Sequence, residues 1–158
     1  ALAKKVKNID SYNFPRPMKY AKNYEFSFSG LKTSFFYKIK SMTEQEKNEN
    51  LHLLASSFQE AVFDSLVTKT SHAMEKTKIN TIIVGGGVAV NQRLRKLLRN
   101  MTSKKGGAVI FPSYRYLNFD NAAMIGLVGS IRAEKELWVK DLQKLDRIPR
   151  LSLSRNLL

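Results

Sequence analysis

The 158-residue chain sets 27 Lys and Arg against 13 Asp and Glu, for a formal net charge of +14, and 43% of it is hydrophobic. That apolar content excludes wholesale disorder, which needs low hydrophobicity alongside high charge. With no cysteine there is neither a disulfide framework nor a thiolate nucleophile or metal ligand, and no run nears the roughly 20 apolar residues of a membrane span.

In chain order, the basic stretch 1–7 has no apolar core of a signal peptide and reads as the end of a helix. Tyr12-Asn13-Phe14-Pro15-Arg16-Pro17-Met18 follows. Its two prolines forbid helix and favour an extended path. Glu25-Phe26-Ser27-Phe28-Ser29 alternates aromatic and polar residues, the period of a half-buried strand. It ends at Gly30, and residues 31–39 read as a helix that Ser29 caps. Thr43-Glu44-Gln45-Glu46 fits a capping box. Leu51, Leu54, Ala55, Phe58, Val62 and Leu66 recur beyond it at helical spacing, predicting a long helix to about Glu75. His52 and His72 fall on that helix without a second ligand at metal-binding spacing, so they read as solvated or packing residues.

Asn80 to Val84 is a β-branched run that reads as a buried strand and ends in Gly85-Gly86-Gly87. Asn91 to Asn100 reads as a basic helix with Leu94, Leu97 and Leu98 facing inward. After a Gly106-Gly107 turn, Ala108 to Phe111 is a second short strand, stopped by Pro112. Asn121 to Glu136 reads as a helix whose Ala122, Ala123, Gly126 and Gly129 would let another element approach its backbone. The tail 137–158 shows no clear period. Strand and helix alternate over 80–136, which predicts an α/β fold with 81–84 and 108–111 as adjacent parallel strands. No repeat or internal linker is visible. The chain divides into an entry segment 1–23, an α/β core 24–136 and the tail.

The charge excess is even: +5 over residues 1–50, +4 over 51–100 and +5 over 101–158. A detachable basic tail would concentrate it. The folded body itself is basic, and such a field attracts polyanions, nucleic acid foremost. The absence of cysteine fits a reducing cytoplasm.

Ligands of parallel sheets sit at the carboxyl ends of the strands. Two features fall there. One is the glycine turn with Gly86 and Gly87, which allows positive φ and close ligand approach, followed by Asn91, able to donate and accept towards a ribose or an amide. A tight strand–helix connection is the alternative reading. The turn is neither a Rossmann fingerprint nor a Walker A loop. The other feature is Asp120, a candidate ligand or else a helix N-cap. Both are expected at the open end of the sheet.

Three segments together resemble a known family. Phe26-Ser27-Phe28-Ser29-Gly30-Leu31-Lys32-Thr33 looks like its F-S-F-S-G-L-K-T signature. Val84 to Arg95 resembles its G-G-V-x-x-N-x-x-L-R segment, and Asp120-Asn121-Ala122-Ala123-Met124-Ile125 its T-D-N-A-A-M-I segment. Phe14 to Met18 and Ala55 to Gln59 fit as well. The family is the universal tRNA threonylcarbamoyladenosine transferase family, once called glycoprotease or O-sialoglycoprotein endopeptidase, and the match covers roughly residues 10–135.

The resemblance implies the C-terminal half of an actin-like, sugar-kinase-like, Hsp70-like (ribonuclease H-like) two-domain fold. It implies transfer of a threonylcarbamoyl group from threonylcarbamoyl-adenylate to the N6 amine of the adenosine beside the tRNA anticodon. By the same resemblance Asn91 contacts the adenylate with Gly86 and Gly87 beside it. Asp120 is then a ligand of a divalent metal, iron or zinc. Small partner proteins, one a same-fold paralogue, are implied too, and no membrane. The family's H-x-x-x-H motif, which carries the other metal ligands, has no counterpart here, and Phe119 stands where the family has Thr. The chain alone is therefore expected to be inactive, with weak, salt-sensitive RNA binding. The rival readings are a non-catalytic module that assembles with the modifying complex, and a plain RNA-binding domain.

Overall fold

The computed structural model describes residues 2–141 and 143. The tail beyond 143 lies outside the described residues. The elements are α1 (Leu2–Lys5), α2 (Ser29–Lys40), α3 (Glu44–Thr77), β1 (Thr81–Ile83), α4 (Gln92–Lys104), β2 (Ala108–Ile110) and α5 (Ala122–Glu134), with short 3-10 helices at Gly87–Val90 and Arg115–Asn118. They fall into two compact units, one up to residue 118 and one from 119 onward. That boundary lies inside the stretch read from the sequence as one core.

In the first unit α3 is the organising element. Its 34 residues give a rod about 51 Å long at 1.5 Å per residue. The Thr43 hydroxyl accepts from the Glu46 N–H (3.2 Å) and the Glu46 carboxylate accepts from the Thr43 N–H (2.8 Å), the reciprocal box read from the sequence. Those bonds hold the Glu46 carboxyl below its ordinary value. The helix ends at Lys78, whose φ of 60° is left-handed.

Two apolar clusters flank α3. In one, Phe63 and Met74 meet Leu94, Leu98 and Met101 of α4, with Ile82, Val84, Val109 and Phe111 packed against them. In the other, Phe14, Leu31, Leu54 and Ala61 are buried with Tyr12, Phe28, Phe35 and Phe58 around them. A polar network fastens the proline segment beside this second cluster. Arg16 Nε and Lys19 Nζ each donate to Asp64 Oδ2 at 2.6 Å, and Arg16 also pairs with Asp10. The buried Ser57 hydroxyl accepts from the Ser11 and Tyr12 N–H groups at 2.9 and 3.2 Å.

β1 and β2 are parallel neighbours in the register Thr81–Ala108, Ile82–Val109, Ile83–Ile110. Ile82 and Val109 point into the core. The alternation puts Ile83 and Ile110 on the other face, 81% and 52% exposed.

Several expectations need correction. Residues 25–28 belong to no strand, because no other strand among the described residues lies alongside to form a ladder, and at Phe28 the ψ of 3° already leaves the extended path. The period-2 pattern still operates: Phe26 and Phe28 fall on one side and stack at 6.3 Å. Ser29 does not cap α2; it is its first residue, and Phe28 holds the cap position without a side-chain bond. Leu51 is exposed rather than inward. The basic helix starts at Gln92, since the 3-10 turn intervenes after the glycines. In the second unit α5 has no buried residue, and a Cβ placed at Gly126 or Gly129 would meet open space.

Candidate functional site

The parallel pairing sends the chain out of β1 and out of β2 at the same edge. After β1 the backbone turns at Gly86, whose φ of 89° lies where only glycine is at ease. It then makes the 3-10 helix Gly87–Val90 and enters α4. After β2 it runs through Ser113 to the second 3-10 helix. A small concavity lined by Val90, Gln92, Arg95, Ser113 and Arg115 joins the two loops. The Arg95 guanidinium is fixed over the Phe111 ring (4.7 Å to centroid) while its Nε donates to the Ala89 carbonyl at 2.6 Å.

On the α3 side of the glycine turn lies a larger cavity of about 810 Å3. Its walls include Gly87, Val88 and Asn91, the end of α1 through Lys4, Lys7 and Asn8, Gln59 of α3, and Gln92, Arg93 and Lys96 of α4. Among the described residues no carboxylate lines it. Glu60 takes up the charge of Arg93 through Nε (3.0 Å) and NH2 (2.6 Å), and these bonds hold the guanidinium above its ordinary pKa. Lys4, Lys7 and Lys96 form no ion pair among the described residues. The cavity thus keeps three uncompensated ammonium groups beside a polar floor. Anions and phosphates are what such a field holds.

Asn91 is bonded on both sides of its amide in that floor. Its Oδ1 accepts from the N–H groups of Arg93 (2.9 Å) and Leu94 (3.3 Å), which makes it the N-cap of α4. Its Nδ2 donates to Gln59 Oε1 at 3.0 Å, and Gln59 Nε2 donates to Asn8 Oδ1 at 3.0 Å. This relay ties the entry segment, α3 and α4 together beneath the cavity. The residue singled out as a ligand is therefore also the residue that builds the wall, with one amide hydrogen left for a bound molecule.

Asp120, in the second unit, shows the reverse. The cap of α5 is Asn121, whose Oδ1 accepts from Met124 N–H at 3.1 Å. Asp120 is exposed and forms no ion pair or hydrogen bond within the described residues. Asp120 is therefore not the cap of α5. Among the described residues no three His, Asp or Glu side chains gather where a metal could sit. His52 and His72 join no such group, and the described residues do not make a metal site by themselves.

Reading the sequence missed Lys4, Lys7 and Lys96. They are separated by up to 92 positions and converge only through the packing of α1 and α4 against α3. Gln59 appeared only as the end of a motif; no spacing rule gives it to Asn91.

A family model described as tRNA N6-adenosine threonylcarbamoyltransferase matches residues 1–127. Proteins of that name resemble the chain in several bacteria. The one from Francisella philomiragia is 43% identical over 131 residues, covering 83% of this chain and 38% of the relative. The one from Thermosipho melanesiensis is 42% identical, covering 77% and 36%. The one from Thermosipho africanus is 38% identical, covering 91% and 42%. The chain spans about two fifths of the length of these curated relatives.

Proposed function

The chain belongs to the tRNA N6-adenosine threonylcarbamoyltransferase family, and from that premise we propose that it supplies the nucleotide-binding side of a threonylcarbamoyl transfer to tRNA. The observation that carries the reading is the acid-free cavity beside the glycine turn, with Lys4, Lys7 and Lys96 unpaired around it. In the reaction the N6 amine of adenosine attacks the carbamoyl carbon of the adenylate. The carbon–oxygen bond to the phosphate breaks, AMP leaves with the electron pair, and the amine gives up one proton. Negative charge grows on the phosphate as it leaves, and fixed cations there stabilise that change more than they stabilise the bound substrate.

In this reading Gly86 and Gly87 let the backbone approach the nucleotide, and the remaining Asn91 amide hydrogen faces it. Asp120 contributes one carboxylate to a divalent metal, iron or zinc, whose other ligands come from outside this chain. The actin-like two-domain architecture, the small partner proteins with a same-fold paralogue among them, and a cytoplasmic location belong to the same proposal. Among the described residues no helix is long and apolar enough to cross a membrane. Supplied with tRNA, threonylcarbamoyl-adenylate and divalent metal, the chain alone is expected to give no modified adenosine. In this reading a second wall of the site comes from outside these residues, and positioning accounts for several kcal/mol of such a transfer, about 7–11 at its upper range. Titration with the adenylate itself tests the site directly: binding should weaken in Lys7→Gln and Lys96→Gln. Turnover matching that of a longer relative would refute the fragment reading. The alternative, a non-catalytic assembly module, is favoured if the adenylate does not bind at all.

A further inference from the structure

A third concavity, of about 380 Å3, lies against the later turns of α3 and is lined by the segment Tyr20–Tyr24 together with Lys69, His72 and Lys76. Its volume is within the range of small-ligand pockets. Two tyrosine rings stand at it, Tyr20 77% and Tyr24 44% exposed. Each ring offers an apolar face with a polar hydroxyl tip, suited to a ligand that is part flat and part polar.

The floor is a built one. Lys69 is 3% exposed, and its ammonium donates to the Asn23 carbonyl (3.2 Å), to Asn23 Oδ1 (3.0 Å) and to the Glu25 carbonyl. Three acceptors satisfy its three donors, yet none is a carboxylate, so the positive charge at the floor is not cancelled. The same bonds clamp the backbone that presents both rings. Lys76 lies 5.6 Å from the Tyr24 ring centroid, and Lys19 lies 5.1 Å from that of Tyr20 while paired with Asp64. Lys22 makes no ion pair among the described residues, and no carboxylate lines the pocket. Glu25, two residues beyond Asn23, accepts from Asn23 Nδ2 at 3.1 Å.

We propose that this pocket binds an unpaired nucleotide of RNA, with a base stacked on Tyr20 or Tyr24 and its phosphates held by Lys22 and Lys76. Aromatic faces inside a basic concavity are the general means of holding single-stranded nucleic acid: the rings stack on bases and the cations track the backbone. A flat polyanion-binding surface would need the lysines and not the rings. The proposal rests on the tRNA-modifying reading only for the choice of RNA, and it places an RNA contact away from the adenylate cavity.

The test is fluorescence anisotropy of a labelled eight-nucleotide single-stranded RNA with the whole chain at fixed low salt. At least one of Tyr20→Ala and Tyr24→Ala should weaken binding about 5-fold or more, the lower end for loss of one stacked base. The double variant Lys40→Gln, Lys104→Gln removes as much charge as Lys22→Gln, Lys76→Gln but from exposed positions elsewhere. It should weaken binding less than the pocket pair. A polyglutamate peptide should bind the wild type and both tyrosine variants alike. Equal RNA affinity for wild type and tyrosine variants overturns the proposal, as does absence of RNA binding by the wild type. Adenylate titration separates the two ideas. If adenylate fails to bind, the functional reading falls while the anisotropy result still decides the pocket. If adenylate binds the tyrosine variants as it binds the wild type and their RNA affinity is also unchanged, the pocket alone is wrong.

Discussion

Gly106 and Gly107 sit side by side in the turn before β2, and the structure gives them opposite reasons for being glycine. At Gly106 the backbone φ is 65°, and an added Cβ would meet nothing within 4 Å. Alanine there incurs about 1–2 kcal/mol for the left-handed conformation. Part of this, roughly 0.4–1 kcal/mol, returns through a less flexible unfolded chain. The net is about 1 kcal/mol. At Gly107 the conformation is ordinary, but an added Cβ would stand 2.2 Å from the Asn80 carbonyl oxygen and 3.2 Å from Met74 Cε. Relaxed carbon–oxygen contact is near ~3.3 Å, so backbone must move by about 1 Å. That carbonyl accepts the Ala108 N–H at 2.8 Å, the bond that begins the parallel pairing. Overpacking at about 1–3 kcal/mol and one lost hydrogen bond at about 1 kcal/mol give about 3 kcal/mol for Gly107→Ala. Urea titration followed by far-ultraviolet circular dichroism, dominated by α3, measures both. Amide exchange of Ala108 and Val84 should rise in Gly107→Ala first. If Gly107→Ala proves no worse than Gly106→Ala, the close approach of the two backbones is wrong, and with it the register of the sheet.

Asn91→Ala should lose about 2 kcal/mol, one part cap and one part the Gln59 bond. Asn91→Asp keeps the cap oxygen and should lose about half of that; equal losses in the two would show that the cap contributes nothing. Asp120→Ala should leave stability within about 0.5 kcal/mol, whereas Asn121→Ala should cost α5 about 1 kcal/mol, read by amide exchange at Met124. Burial alone would raise the Asp64 carboxyl, but its bonds to Lys19 and Arg16 outweigh that and hold it below its ordinary 3.8. In that window the unfolded chain binds more protons, so this contribution is complete above the ordinary value and disappears as pH falls through the lowered one. Asp64→Asn should flatten the acid side of a stability–pH profile, and an unchanged slope would count against the network.

What the sequence determined by itself is what short-range chemistry decides. The Thr43–Glu46 box, the long helix behind it and the inward Leu94 and Leu98 follow from hydrogen bonds and periodicities spanning a few residues. The two β-branched runs and the helix between them sufficed for a parallel pair, because a connection of that length returns the chain in the same direction. Only the tertiary structure decided the rest. Residues 25–28 carry a strand's alternation, yet a strand exists only when another lies beside it, and here the Glu25 carbonyl, with that of Asn23 before it, accepts from Lys69 instead. Asp120 and Asn121 are both good caps, and which one serves depends on where the backbone leaves its extended conformation, a matter of one residue of register. Asn91 caps one helix and reaches a glutamine on another, 32 positions away. Lys4, Lys7 and Lys96 become one cationic wall because packing against α3 brings distant segments together, and no local pattern records a meeting that depends on the whole fold.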